Sequence, residues 1–323
     1  MLKRMGFALI LFILVAVSLA CGMDKSDEKK NEDFQNDPQT ETERFSKPSG
    51  VEEIEVGFVV STLLNPFFVS LKDGVVEEAH DYGIALRVLD SRDSSETERA
   101  NMDKLIEDEV DAILLNPTDP EASVELIEKA FNLGIPVFTL DRQVDSDMVL
   151  MHIASDNRSG GYLAGEFIVD TLGGQGKVVV LQGLKGASVD RERGRGFELA
   201  LQGSDVEIIE KRRADFDRGM AQNEMENLLE TYNDIDAVFA HNDEMALGAL
   251  KAATLAGREL VIVGFDGADD AIIAVQDGSL DATVAQQPEK IGRVGIQAVM
   301  KFLTQDSFIE EVPVPLKLIT NTE

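Results

Sequence analysis

Residues 59–68 read VVSTLLNPFF, an apolar β-branched start that runs through a polar turn into Asn-Pro and two aromatics. Two later stretches repeat the pattern, FAHNDEMALGAL at 239–250 and VGFDGADDA at 263–271. Each is a buried strand that ends in polar or aromatic side chains and passes straight into a helix. Three such edges describe the mouth of an open α/β sheet. Ligands settle there because strand carboxyl ends and helix amino ends converge. Asn65, Phe67, Phe68, Asn242 and Asp266 stand at these edges. Aromatic faces beside short amides and carboxylates suit a ligand with C–H faces and hydroxyl edges, which is the surface of a monosaccharide.

Outward from these edges the chain alternates from residue 52 onward. The runs IEVGFVV, DAILLNP, IPVFTL, KVVVLQG, DAVFAHND and LVIVGFD are separated by amphipathic stretches of 12–16 residues. Near-continuous apolar strands divided by helices predict parallel sheets covered on both faces. Asn65-Pro66, Asp119-Pro120 and Gln287-Pro288 each place a cap or turn residue before a proline at the first helical position. Roughly 270 residues of such units exceed one comfortable sheet, so two similar lobes are expected. The natural break lies at HIASDN, 152–157.

The 323 residues, 44% of them hydrophobic, suffice for two cores. Sixty acidic against 30 basic residues give a net charge of −30, nearly all of it on the folded part. A domain so acidic repels nucleic-acid phosphates, which sets DNA and RNA aside as partners. Cys21 is the single cysteine, so neither an internal disulfide nor a thiolate metal cluster can form. His80, His152 and His241 share no ligand spacing, and no metal or cofactor is expected.

MLKR followed by GFALILFILVAVSLA reads as a secretory signal over residues 1–21. Ala20 before Cys21 resembles a bacterial lipoprotein cleavage site, although Ser18 stands where that motif usually has leucine. Cys21 is therefore the expected lipidation site and the only membrane attachment. Residues 22–51 hold almost no apolar side chains and read as a disordered acidic tether. Its mean reach as a flexible coil is about 30 Å. An exported protein is expected, in the periplasm or on the outer face of the cytoplasmic membrane.

VVSTLLNPFFVSLKDG, LLNPTD, TLDRQ, HIASDN, RERGRGF, ADFDR, NDEMALGAL, VIVGFDG and ATVAQQPEKIG follow one another in that order. Together they resemble the type I periplasmic sugar-binding proteins, and most closely their bacterial D-ribose-binding branch, across essentially all of residues 54–319. The resemblance implies an α/β fold of two Rossmann-like lobes with parallel sheets, joined by a three-strand hinge. It implies a first lobe of 52–155 plus 287–315 and a second of 156–286 plus 316–323. The sugar would lie between them, held by Asn65, Phe67, Phe68, Asp141 and Arg142 from the first lobe. Arg193, Phe216, Asn242, Asp266 and Gln286 would hold it from the second lobe and hinge. The resemblance further implies a non-enzymatic carrier that delivers D-ribose to an ABC transporter permease, with a chemotaxis receptor as another partner. Allose, psicose or a furanose-like signalling molecule are the alternative ligands. One nearby position departs: His241 stands where the ribose branch usually has glutamine.

The residue types suit a sugar on chemical grounds as well. A carboxylate accepts from two neighbouring hydroxyls at once, as Asp141 and Asp266 could. A guanidinium donates in a planar fork, as Arg142 and Arg193 could. The two signs nearly balance, so a neutral sugar would enter without stranding a buried charge. Asn242 and Gln286 can both donate and accept, and Phe67, Phe68 and Phe216 would cover the apolar faces. Taken singly, Phe67 and Phe68 at a helix start read more often as core, Asp141-Arg142 equally as a surface ion pair, and RERGRGF first as a solvated basic turn.

Three other functions compete. Asp141 and Asp266 admit a glycosidase with paired carboxylates, but their arginine and amide neighbours are expected to keep both ionised. GGQGK, 173–177, fails as a phosphate loop, with Thr171 and Val178 at positions that need glycine and a hydroxyl. A sugar-responsive transcription regulator of the same two-lobed fold would need a helix-turn-helix where this chain has a signal and a tether.

Overall fold

The computed structural model describes residues 54–305 and 313–321, so the expected signal, Cys21 and the tether lie outside the described residues. Two sheets organise the chain. The first contains β1 (Glu55–Val60), β2 (Ala85–Asp90), β3 (Ala112–Leu115), β4 (Val137–Leu140) and β5 (Val149–Ile153), all parallel, in the order β2-β1-β3-β4-β5. Between them run α1 (Pro66–Tyr82), α2 (Ser95–Glu107) and α3 (Pro120–Asn132).

The second sheet contains β6 (Gln175–Gln182), β7 (Asp205–Arg213), β8 (Ala237–Ala240), β9 (Val261–Asp266), β10 (Ala282–Ala285) and β11 (Lys317–Thr320), in the order β11-β10-β9-β8-β6-β7. Its helices are α4 (Asn157–Thr171), α5 (Ser188–Ala200), α6 (Arg218–Thr231), α7 (Asp243–Ala256) and α8 (Asp269–Gln276). Among the described residues β11 is the one antiparallel strand, because the chain re-enters this sheet from the far lobe to pair with β10.

Period-two alternation with both faces buried explains the near-continuous apolar runs. Along β1, Val56, Phe58 and Val60 join a core with Leu71 and Val75 of α1, while Val59 points into the opposite core with Met102 and Leu105 of α2. Along β6, Val179 and Leu181 pack with Met225 and Leu228 of α6, and Val178 and Val180 pack with Phe197 of α5. Each lobe is thus a sheet between two helical layers.

A last helix, α9 (Pro288–Gln305), leaves the second sheet and packs on the first. Ile291, Ile296, Val299 and Phe302 enter the same core as Phe58, Leu114 and Phe138. The chain therefore crosses between lobes three times: after β5, after β10, and before β11. The first and third crossings touch, with Val314 N–H donating to the Ala154 carbonyl at 3.1 Å and Ser155 bridging Val314. Among the described residues no helix is long and apolar enough to cross a membrane.

Candidate functional site

The carboxyl ends of both sheets face one another across a cleft. Asn65 ends the β1 loop as the N-cap of α1, its Oδ1 accepting from Phe67 N–H at 2.9 Å. Asn242 follows β8 as the N-cap of α7, its Oδ1 accepting from Met245 N–H at 3.0 Å. In both amides the oxygen is committed to the helix, and Asn242 Nδ2 donates to the Phe216 carbonyl at 3.4 Å. Asn242 thus both accepts and donates, as its amide can, and each of the two asparagines commits its oxygen to a helix N–H. Gln286 does the reverse. Its Nε2 donates to Asp266 Oδ1 at 2.8 Å, and its Oε1 is the free end.

Nine of the ten expected residues line one cleft, Asn65, Phe67, Phe68, Asp141, Arg142, Arg193, Phe216, Asn242 and Asp266, and the hydrogen bond to Asp266 adds Gln286 directly behind it. Val189 completes the lining. The free space between them is only about 20 Å³. That is room for roughly one water, so a sugar enters only if the lobes part.

Four buried charges from two lobes meet here. Asp141 and Arg142 follow β4; Arg193 lies on α5; Asp266 ends β9. Arg193 Nη1 lies 3.6 Å from Asp266 Oδ1, its Nε donates to Asn157 Oδ1 at 2.8 Å, and its guanidinium stacks 3.8 Å from the Phe265 ring centre. Arg142 Nη1 donates to the Pro117 carbonyl at 3.1 Å. Its guanidinium faces Phe68 at 5.0 Å and, across the cleft, Phe216 at 5.8 Å. Phe67 and Phe68 meet edge to face at 5.4 Å.

Burial pushes the Asp141 carboxyl upward against the pull of Arg193 and Arg142. It pushes Asp266 well upward too, with Arg193 opposing and Asp243 reinforcing. Desolvation of carboxylates enclosed on all sides thus outweighs the attraction of the neighbouring arginines in the direction of both shifts. Among the described residues, Asp141 Oδ1, Arg142 Nε and Gln286 Oε1 are buried without a hydrogen-bond partner. The Asp141 acceptor and the Arg142 donor belong to residues that line the cleft, which fits polyol hydroxyls, while Gln286 stands behind Asp266.

Backbone strain gathers at the same place. Asp141, Phe216 and Asp266 have φ of 62°, 63° and 125°, uncommon for residues with a Cβ. Phe216 rests on Gly183, where any Cβ would overlap its ring.

Sequence reasoning missed the residues that hold the arginines. Asn157 sits in HIASDN, which marks the lobe break and belongs to the resemblance but names no ligand-site residue; Pro117 sits in LLNPTD and contributes only a carbonyl, which no side-chain pattern reveals. Among the described residues no group of His, Cys, Asp and Glu could hold a metal ion.

Known proteins share this architecture. The family described as periplasmic binding protein domain matches residues 56–307. The ribose import binding protein RbsB of Bacillus subtilis (strain 168) is 44% identical over 283 residues, 87% of this chain and 92% of that protein. Its namesake from Escherichia coli (strain K12) is 46% identical over 265 residues, 82% of this chain and 90% of that protein. The crystal structure of an ABC transporter solute binding protein from Bacillus halodurans C-125 with bound myo-inositol superposes with a TM-score of 0.80 at 28% identity. That superposition covers 85% of this chain and 97% of the other. On the sheet order, the two-lobed cleft and these matches, the chain belongs to the periplasmic binding protein domain family.

Proposed function

We propose that this chain is a non-enzymatic, exported receptor that captures D-ribose between its lobes and presents the closed form to an ABC transporter permease. The moving units are 52–155 with 287–315 and 156–286 with 316–323. The observation that carries this reading is the pair of buried polar atoms on Asp141 and Arg142 that lack a partner among the described residues and belong to the cleft lining, in a chain 44% and 46% identical to two ribose import binding proteins over most of their length. Asp141 and Asp266 accept from sugar hydroxyls, Arg142 and Arg193 donate, and Asn65 and Asn242 donate through Nδ2. Phe67, Phe68 and Phe216 cover the C–H faces.

Because the free space is smaller than a pentose, ligand entry and lobe opening are one event. Cys21 serves as a lipid anchor, and a chemotaxis receptor reads the same closed form. Replacing Cys21 with serine should release the protein from cells if the anchor is correct.

Calorimetric titration with D-ribose, against allose and galactose, tests the ligand. Tryptophan is absent, so calorimetry is the direct route. The expected result is one-to-one binding at about micromolar Kd or tighter, roughly −8 kcal/mol, with ribose recovered unchanged. No heat with ribose while another sugar binds would assign a different ligand to the same cleft.

A further inference from the structure

His241 follows β8 directly behind Arg193 and is fully buried. Its Nδ1 lies 2.6 Å from Asp190 Oδ1 on α5. With the Asp190 carboxylate as acceptor, Nδ1 carries the ring proton. The same Asp190 oxygen accepts from Gly183 N–H at 2.6 Å at the end of β6, and Arg213 at the end of β7 approaches Oδ2 at 3.5 Å. Three strand ends are thereby tied to the first turn of α5.

Arg193 depends on this cluster twice. It stands one helical turn beyond Asp190 on α5, and its Nη1 donates to the His241 carbonyl at 2.5 Å. The imidazole therefore fixes both the turn from which Arg193 projects and the carbonyl toward which it points.

The far edge of the ring is buried but borders a cavity. Nε2 has no hydrogen-bond partner among the described residues. Gly194 places no side chain against this edge: a Cβ there would stand 3.4 Å from Cε1 and 3.7 Å from Nε2. Beyond it lies a cavity of about 270 Å³, lined by Gly194, Arg195, Glu198 and Lys211 among others. Water fits such a space easily, so a proton can reach Nε2 from behind the sugar site.

The charged groups around the ring come from two elements. From α5 come Asp190, Arg191, Arg193, Arg195 and Glu198; from β7 come Lys211 and Arg213. Burial holds the imidazole below its ordinary value, Asp190 opposes that shift, and Arg193 and Lys211 add to it.

We propose that His241 is a positioning residue for Arg193, and that protonating it through the Gly194 window loosens the grip of Arg193 on the sugar. The inference rests on the reading that Arg193 holds the sugar. A neutral ring leaves Arg193 seated. A protonated ring places a second cation beside the guanidinium, and like charges in a site this dry repel strongly. Glutamine at this position would keep a donor for Asp190 and never take the charge.

The test compares wild type, His241→Gln and His241→Ala for D-ribose affinity between about pH 7.5 and about pH 5. The expected result is His241→Ala weakened about tenfold at neutral pH, with His241→Gln restored to within about threefold. On acidification, wild type should lose about tenfold more affinity than His241→Gln. Loss common to both belongs to Asp141 and Asp266. Superimposable pH profiles for wild type and His241→Gln would overturn the proposal, and this comparison stands alone if His241→Ala does not fold. The Arg193 Nε–H resonance of the sugar-free protein is followed in the same series. It should shift with pH in wild type and stay put in His241→Gln. A resonance that behaves alike in both overturns the proposal even if D-ribose fails to bind, whereas failed ribose binding alone overturns only the ligand assignment.

Discussion

Arg193 and Asp266 face each other at 3.6 Å, both nearly removed from water, and both belong to the same lobe. Half of the polar site is therefore assembled before any ligand arrives, and its desolvation cost is met at folding instead of at binding. The other lobe completes it by bringing Asp141, whose carboxyl feels Arg193 across the cleft more strongly than its own neighbour Arg142.

Replacing Arg193 with alanine removes the cation that compensates both aspartates. Stranding buried charge typically costs about 3–5 kcal/mol. Arg193→Ala should abolish the calorimetric signal with ribose and also lower the urea unfolding midpoint. Tight binding or an unchanged midpoint in this variant would contradict the arrangement.

Asn65 separates capping from ligand contact. In Asn65→Asp the carboxylate still accepts from Phe67 N–H and sits well against the helix amino end, but the Nδ2 donor is gone. Stability should stay within about 0.5 kcal/mol while ribose affinity falls about tenfold. An affinity equal to wild type would remove Asn65 from the site.

Ser188 fastens the closed form. Its Oγ accepts from Gln143 N–H at 2.9 Å, joining the loop after β4 to the first residue of α5 across the lobes. Ser188→Ala deletes one net hydrogen bond from the closed state alone, about 1 kcal/mol. Stopped-flow measurement should find ribose release accelerated about fivefold with capture unchanged. A change confined to capture would place the contact outside closure.

Asp243 sets a pH dependence of stability. Burial lifts its carboxyl from 3.8 to about 7, against hydrogen bonds from Thr283 Oγ1 at 2.7 Å and Ala268 N–H at 2.8 Å. The folded state holds this proton more tightly than the unfolded chain does. The contribution to stability is therefore complete below the unfolded value of 3.8 and is lost as pH rises through about 7. Asp243→Asn cannot ionise and keeps an acceptor for Ala268. It should unfold at higher urea than wild type at about pH 8, by about 2 kcal/mol, with the gap closing toward about pH 5. A gap independent of pH would refute the assignment.

Six central strands were legible in the sequence because they are buried on both faces: IEVGFVV, DAILLNP, IPVFTL, DAVFAHND and LVIVGFD contain β1, β3, β4, β8 and β9, and KVVVLQG covers β6 from its third residue. The edge strands β2, β5 and β7 were not, since ALRVLD, VLMHI and DVEIIEKRR are half-buried and mix charge with apolar residues. The cap residues Asn65 and Asp119 were readable from their prolines. The convergence of Asp141 with Arg193, 52 positions apart, came only from resemblance, because no local pattern encodes which strand ends meet across a hinge. The partner of His241 was not readable at all: Asp190 looks like any acid on an amphipathic helix.

The last helix, α9, closes the first lobe with close backbone contact. A Cβ at Gly74 of α1 would overlap the Glu289 carbonyl, one at Gly292 would overlap the Leu71 carbonyl, and one at Gly295 would crowd Leu140, the residue before Asp141. Arg293 reaches Glu77 at 2.6 Å across 216 positions of sequence. During synthesis, α1 therefore covers only part of this face of the first sheet until α9 has emerged about 200 residues later, and contacts of such long range form late. A prematurely terminated product lacks the support beneath Asp141 and cannot build the cleft. Ligand-holding ability thus reports that synthesis has passed α9, a check written into the topology itself.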